Sequence, residues 1–371
     1  MRRARSSSAE DLIRGGVALG ASAVGALALR AGVRHLHQAA LPSRPLPRPT
    51  GAHRVGTRTV VLDDRRRLPV QIWYPAEEAD GGQRHAAAAP LFPAGRGAAK
   101  AIALSYPVPA PLLGRLAAQR GHAVADLDYR VDVRGVVVLS HGWMGFRAIH
   151  ADLAEQLASE GWVVLAADHV GGALVSQYPG GAVVGLEPDL MPSAEDPGYG
   201  PGVRYLVQRF AEDITSVIGA MSVGAIDECV PVVEQVWVVG QSTGGGAAIL
   251  AATRGSSIAG VIGLDPWVEP VPAAARTDLA VPLIALRSGA WIGNRNDGLL
   301  ERMMADGADV RLRAIPEAGH TDLTGLGYLF PALRATPLLR CGPEVCHDNA
   351  LLAFADLVGT RTGHRREETG P

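Results

Sequence analysis

Three cysteines in 371 residues are too few for a disulfide-stapled scaffold, and their spacing fits no paired-cysteine zinc site. Free thiols are the expected state, with Cys341 and Cys346 the pair that an oxidising compartment would close. A formal net charge of −2 gives no reason to expect a nucleic-acid partner. No internal repeat, heptad pattern or GxxxxGK phosphate loop occurs, which excludes a solenoid, a coiled coil and a P-loop nucleotide site. The apolar run Gly15 to Leu29 falls short of the roughly 20 residues that a membrane-spanning helix needs. Behind a basic start at Arg2, Arg3 and Arg5, it has the length of a signal-peptide core, although no small-residue cleavage site follows. Export or anchoring is therefore as well supported as a cytoplasmic location.

What is present is alternation of strands and helices. Residues 1–50 read as a leader closed by a proline-rich linker, with four prolines between Leu41 and Thr50. Gly56–Leu62 and Leu68–Pro75 read as an antiparallel hairpin around the charged turn Asp63 to Arg67. Val136–Ser140, Trp162–Ala167, Val236–Val239, Ile258–Leu264, Val281–Leu286 and Val310–Ile315 read as strands, most of them wholly apolar. Helical spacing separates them at Ala148–Ser159, Val203–Met221 and Leu299–Ala305, and a last helix is expected over His347–Val358. This grammar predicts an α/β fold over 51–360: a mostly parallel central sheet, an antiparallel N-terminal hairpin and helices on both faces. Residues 77–129 and 171–202 are rich in Gly, Pro or Ala and weakly periodic, and are expected as an insertion on the sheet and a long loop over the strand ends. Within the first, Val108 to Ala118 is apolar and is expected to pack on the core, weak association with a membrane surface being the alternative. Residues 361–371 are expected to form a disordered tail.

The chemistry centres on Gly240-Gln241-Ser242-Thr243-Gly244, which lies between an apolar strand and a small-residue helix. A GxSxG turn in that context forces the serine into a strained conformation and presents its hydroxyl above the sheet. A serine hydroxyl needs a base and an acid to orient that base, and on this scaffold they follow in the order Ser, Asp or Glu, His. His320, just past the last strand in Ala318-Gly319-His320-Thr321-Asp322, is the expected base. Two acids are open: Asp265, which ends the strand after the elbow helix, and Asp297, which follows the next strand in a loop that also resembles a helix cap. Backbone donors for a developing oxyanion are expected at Thr243, after the serine, and at Trp143, within His141-Gly142-Trp143-Met144-Gly145 at the end of an earlier strand.

These residues resemble a known family. Leu68-Pro-Val-Gln-Ile-Trp-Tyr-Pro75, Ser140-His-Gly-Trp-Met-Gly-Phe-Arg147, Leu153-Ala-Glu-Gln-Leu-Ala-Ser-Glu-Gly161, the Gly240–Gly245 elbow and Leu264-Asp-Pro-Trp267 are similar to the plasma-type platelet-activating factor acetylhydrolases, group VII phospholipases A2 with an α/β-hydrolase fold. The resemblance runs from about Gly56 to Val358. It implies the triad Ser242, Asp265 and His320, because the family's acid lies in an Asp-x-Trp motif matched by Asp265-Pro266-Trp267, with Asp297 left as the alternative. It also implies Trp143 as the second oxyanion donor, and calcium-independent hydrolysis of short or oxidised acyl esters of phospholipids through an acyl-enzyme. Gln241 replaces the histidine usual in the family, and Thr321-Asp322-Leu323 follows His320 where an aromatic is common. No metal or cofactor is expected, and the partner is a small-molecule or lipid ester. The alternatives are a cutinase-like or general carboxylesterase acting on polyesters, and a noncatalytic binding protein on the same scaffold. Against the latter, no triad member is missing.

Overall fold

Apolar strands flanked by amphipathic helices can bury both sheet faces only by stacking in parallel between two helical layers, and the chain does so. The structure is a computed structural model that describes residues 45–77, 87–105, 114–115, 117–255 and 257–367. The leader to residue 44, most of the apolar stretch 108–118 and residues 368–371 lie outside the described residues.

The strands are β1 (Arg54–Val61), β2 (Pro69–Ala76), β3 (Ala88–Pro90), β4 (Arg120–Ala125), β5 (Gly135–Ser140), β6 (Trp162–Ala167), β7 (Val175–Gln177), β8 (Val183–Gly185), β9 (Val236–Gln241), β10 (Ile258–Leu264), β11 (Leu283–Ser288) and β12 (Val310–Ile315). The principal helices are α1 (Arg96–Ser105), α2 (Ala151–Ser159), α3 (Tyr199–Ser222), α4 (Thr243–Ala252), α5 (Arg295–Ala305) and α6 (Pro343–Glu367). Ten strands form one sheet in the order β12-β11-β10-β9-β5-β6-β2-β1-β4-β3. From β6 to β12 all neighbours are parallel, while β2 pairs antiparallel with β1 and β6. The expected hairpin and parallel core are both present.

Strand periodicity assigns side chains to the two faces. On β5, Val136 and Val138 join one core and Val137 and Leu139 the other; on β11, Leu283 and Ala285 oppose Ile284 and Leu286 in the same way. The first core is roofed by α3, α4 and α5 through Leu206, Phe210, Ile249 and Leu300, and the second by α2 and α6 through Leu153, Leu157 and Phe354. In α3 the buried residues Val203, Leu206, Val207, Phe210, Ile214, Val217 and Met221 follow the three-to-four spacing of one helical stripe.

Three expectations need correction. Residues 77–129 do not merely lie on the sheet; β4 and β3 extend it beyond β1. Part of what holds β4 is distant in sequence: the amides of His122 and Ala123 donate to the buried Glu155 carboxylate of α2, at 2.9 and 3.0 Å. Alternation cannot reveal such a partner. Residues 171–202 are not a bare loop either, since β7 and β8 pair around Gly180 and Gly181, both at positive φ. Finally, α6 continues to Glu367, beyond the expected tail boundary at 361; no proline interrupts 361–367, and arginine and glutamate favour helix there. Cys341 and Cys346 are thiols 3.9 Å apart at the start of that helix.

His150, at the junction into α2, is buried, and burial pushes its imidazole pKa down to about 4 against the pull of Asp152. The unfolded chain protonates this histidine near pH 6.5 and the folded chain does not, so it removes stability as pH falls between those values. Urea unfolding at pH 6.5 and pH 4.5 checks this. His150→Gln is expected to lose less stability over that interval than the parent, by up to about 1.4 kcal/mol per pH unit. An unchanged slope contradicts the assignment.

Candidate active site

Ser242 closes β9 and opens α4 with φ 52° and ψ −118°, a left-handed backbone that a non-glycine residue holds only at a cost. Its amide donates to Leu264 O at 3.0 Å, and its carbonyl accepts from Trp267 N at 2.8 Å and Gly245 N at 3.0 Å, so the strained turn is pinned to β10 and the loop after it. Two glycines make the turn sterically possible. A Cβ at Gly240 would strike the Gly244 carbonyl, and one at Gly244 would strike the carbonyl oxygens of Ser140 and His141.

Asp265 follows β10, at φ 45°. Its Oδ1 accepts from Ser288 N at 2.7 Å, and its Oδ2 accepts from Ser288 Oγ at 2.5 Å and faces His320 Nδ1 at 3.0 Å. The carboxylate is fully buried, while the imidazole remains about one-third exposed. With Nδ1–H donated to Asp265, the tautomer leaves His320 Nε2 as an acceptor. Trp291 stacks on the ring with centroids 4.4 Å apart and planes 7° from parallel, which fixes its tilt. The turn carrying His320 is anchored by Asp322, which accepts from Gly319 N at 2.7 Å and Arg340 N at 2.9 Å.

The Nε2 of His320 faces the Gln241 side-chain amide at 3.4 Å, and no hydrogen bond from Ser242 Oγ occurs among the described residues. The side chain beside the serine therefore lies against the outer nitrogen of His320. Catalytic hydrogen bonds are commonly loose before substrate arrives.

Of the expected oxyanion donors, Thr243 directly follows the serine and Trp143 lies in the loop after β5. Thr243 is the first residue of α4, so its N–H has no partner within the helix. In the loop after β5, Met144 N donates to Gly172 O at 2.9 Å and Gly145 N to Gly142 O at 2.9 Å, while Trp143 N has no hydrogen bond among the described residues. Gly142 is required here, because a Cβ would strike the Gln241 side chain.

Asp297, the other candidate acid, does not meet His320. It pairs with Arg287, accepts from Gly293 N at 2.7 Å, and has its own amide capped by Asn294 Oδ1 at 2.8 Å. It organises the start of α5. Among the described residues no group of His, Cys, Asp or Glu is arranged to hold a metal ion. Sequence reading missed Ser288 and Trp291. The only available signal for Ser288 was its hydroxyl at the end of the strand paired with that of Asp265.

This sheet, with a serine at the elbow after its central strand and an Asp–His pair at the neighbouring strand ends, defines an α/β-hydrolase. The chain belongs to the dienelactone hydrolase family, whose model matches residues 124–324, and it is a hydrolase of that family. Residues 38–178 also match the model for platelet-activating factor acetylhydrolase, isoform II, in agreement with the resemblance read from the sequence. Among solved structures, a ferulic acid esterase from Streptomyces cinnamoneus superposes with a TM-score of 0.69 at 23% identity, covering 85% of this chain and 93% of its own. A dienelactone hydrolase-like promiscuous phosphotriesterase from metagenomic libraries gives 0.51 at 14% identity, over 82% of this chain and 98% of that one. At these identities the likeness concerns the fold. No curated protein matches the chain.

Two substitutions separate the carboxylates. Asp265→Asn is expected to lower kcat by roughly 10³–10⁴-fold with little effect on folding. Asp297→Asn is expected to leave kcat nearly unchanged and to cost roughly 1–3 kcal/mol of stability, because Arg287 loses the nearer and more buried of its two carboxylate partners, Asp297 and Glu301. Steady-state kinetics and thermal unfolding of both variants are the check, and the reverse pattern would assign the acid to Asp297.

Proposed function

We propose that this hydrolase is a serine esterase that works through an acyl-enzyme, with Ser242 as nucleophile, His320 as general base and then acid, and Asp265 as the group that orients it. The observation that carries the reading is the buried Asp265 carboxylate 3.0 Å from His320 Nδ1, at the sheet edge that also presents the strained Ser242. When an ester enters, His320 Nε2 leaves the Gln241 amide and takes the proton from Ser242 Oγ as that oxygen bonds to the acyl carbon. The carbonyl oxygen gains the negative charge, and the N–H groups of Trp143 and Thr243 stabilise it. Collapse expels the alcohol, which takes the proton from His320. Water then repeats the sequence and releases the acid. Asp265 keeps the imidazole in the required tautomer and steadies it while it is charged.

For the substrate we favour short-chain or oxidised acyl esters of the phospholipid type, supported by the match of residues 38–178 to the acetylhydrolase model. With such a substrate, weak association with a lipid surface is expected; no helix among the described residues is long and apolar enough to cross a membrane. A second reading is a general carboxylesterase for aryl-acid or polyester substrates. It draws on the structural neighbour that hydrolyses ferulic esters and on the aromatic wall that Trp291 builds beside His320.

Labelling with a fluorophosphonate probe tests the nucleophile: the parent is expected to label and Ser242→Ala to remain unlabelled. Rates on 2-acetyl phospholipid against aryl esters of rising acyl size decide the substrate class. A higher kcat/KM on bulky aryl-acid esters would move the assignment to the second reading.

A further inference from the structure

A second Ser–His–Asp series lies beneath the site, wholly inside the protein. Ser140 Oγ, at the end of β5, is 2.8 Å from His169 Nε2; His169 Nδ1 is 2.9 Å from Asp213 Oδ2 on α3; Asp213 Oδ1 is 2.5 Å from Arg66 in the β1–β2 turn. Ser140, His169 and Asp213 are each about 1% exposed, so no substrate reaches them. His169 lies flat on Phe210, with centroids 3.9 Å apart, and His141 stands edge-on to it. Burial keeps His169 neutral and pushes the Asp213 carboxyl up to about 8, against the pull of Arg66. At 2.9 Å the Asp213–His169 contact is a hydrogen bond that holds one proton, and the Ser140 hydroxyl, as donor or acceptor, completes the series in either tautomer.

The turn after β6 also bonds five of the eight residues 140–147: Ser140, His141, Met144, Gly145 and Arg147. His169 N donates to His141 Nε2 at 3.1 Å, and His141 Nδ1 bonds its neighbour's carbonyl, Gly142 O, at 2.7 Å. Met144 N donates to Gly172 O at 2.9 Å, and Leu174 N to Gly145 O at 2.8 Å. Asp168, one residue before His169, accepts from Arg147 N at 2.7 Å and pairs with the buried Arg147 guanidinium at 2.6 Å. Residues 140–147 are thus held at both ends and in the middle, and the Trp143 N–H carries no hydrogen bond among the described residues. Met144 next to it sits at φ 61°, a conformation that persists only when its surroundings over-determine it.

We propose that the Ser140–His169–Asp213–Arg66 series is a positioning device that fixes the Trp143 N–H at its place in the oxyanion hole. This rests on the acyl-enzyme reading given above. The path is short: His169 grips Ser140 and His141, and the carbonyls of those two residues pack against Gly244 in the first turn of α4, beside Thr243. Loosening His169 separates the two oxyanion donors. A fully satisfied buried network specifies one arrangement of the loop, whereas a half-satisfied one admits several.

Because His169 acts only through the loop, its loss is expected to weaken transition-state binding and leave substrate binding alone. The test compares the parent with His169→Gln and Ser140→Ala. It measures kcat and KM on an aryl acetate, and affinity for a trifluoromethyl ketone whose adduct on Ser242 places an oxyanion in the hole. His169→Gln is expected to lower kcat by roughly 10–100-fold with KM within about threefold, and to weaken ketone binding in parallel. Ser140→Ala, which removes one hydroxyl, is expected to change both in the same direction by a smaller factor and decides the matter if His169→Gln does not fold. Folded variants with parental kcat and ketone affinity, or a fall in kcat with ketone affinity unchanged, would overturn the proposal while the parent's activity sustains the acyl-enzyme reading. A parent that neither turns over the ester nor binds the ketone would overturn that reading, and this proposal with it.

Discussion

At Gly244 the backbone of the helix after Ser242 lies against the carbonyls of Ser140 and His141, with no room for a side chain between them. The rest of the site depends on that contact. It sets the elbow against the loop that carries Trp143, which brings the start of α4 and that loop together beside Ser242. The sheet supplies the rigid frame, since β9 lies between β5 and β10 and delivers Ser242 between the Trp143 loop and Asp265. Small residues at the start of α4 are thus a packing requirement with a chemical result.

Of the five non-glycine residues at positive φ among the described residues, Met144, Ser242 and Asp265 lie at this edge, each at a cost of about 1–3 kcal/mol, while Arg67 and Asp126 lie in turns elsewhere. Each of the three at the edge is held by bonds from a different element: Met144 by Gly172, Ser242 by Leu264 and Trp267, and Asp265 by Leu286 and Ser288. The series from Ser140 to Arg66 lies beside these positions. Polar groups in an apolar core are costly when unpaired, and here the pairing is carried across four segments of the chain: β5, the turn after β6, α3 and the β1–β2 turn.

Much of this was legible in the sequence for a physical reason. Strands covered on both faces need continuous apolar runs, and a nucleophile elbow needs glycines at fixed offsets, so β5, β6, β9, β10 and Ser242 could be read from local pattern alone. His320 followed from its place after the last strand. Choosing Asp265 over Asp297 needed the Asp-Pro-Trp motif, because both acids follow a strand; what separates them is the tertiary partner, His320 for one and Arg287 for the other. Side chains that act through contacts distant in sequence left no periodic trace. Glu155 holding β4, Ser288 behind Asp265, and His169 with Asp213 beneath the loop are of this kind. Gln241 was visible as a departure at the elbow, but its position on the outer nitrogen of His320 was not.

The central claim is that Ser242 carries the acyl group during turnover. Rapid acid quench of the enzyme with a slowly deacylating ester, followed by peptide mass spectrometry, tests it most directly. A transient mass increase of one acyl group on the peptide containing Ser242, lost on longer incubation, is the predicted result. Turnover with no adduct at any time, or an adduct confined to a peptide without Ser242, would contradict the account.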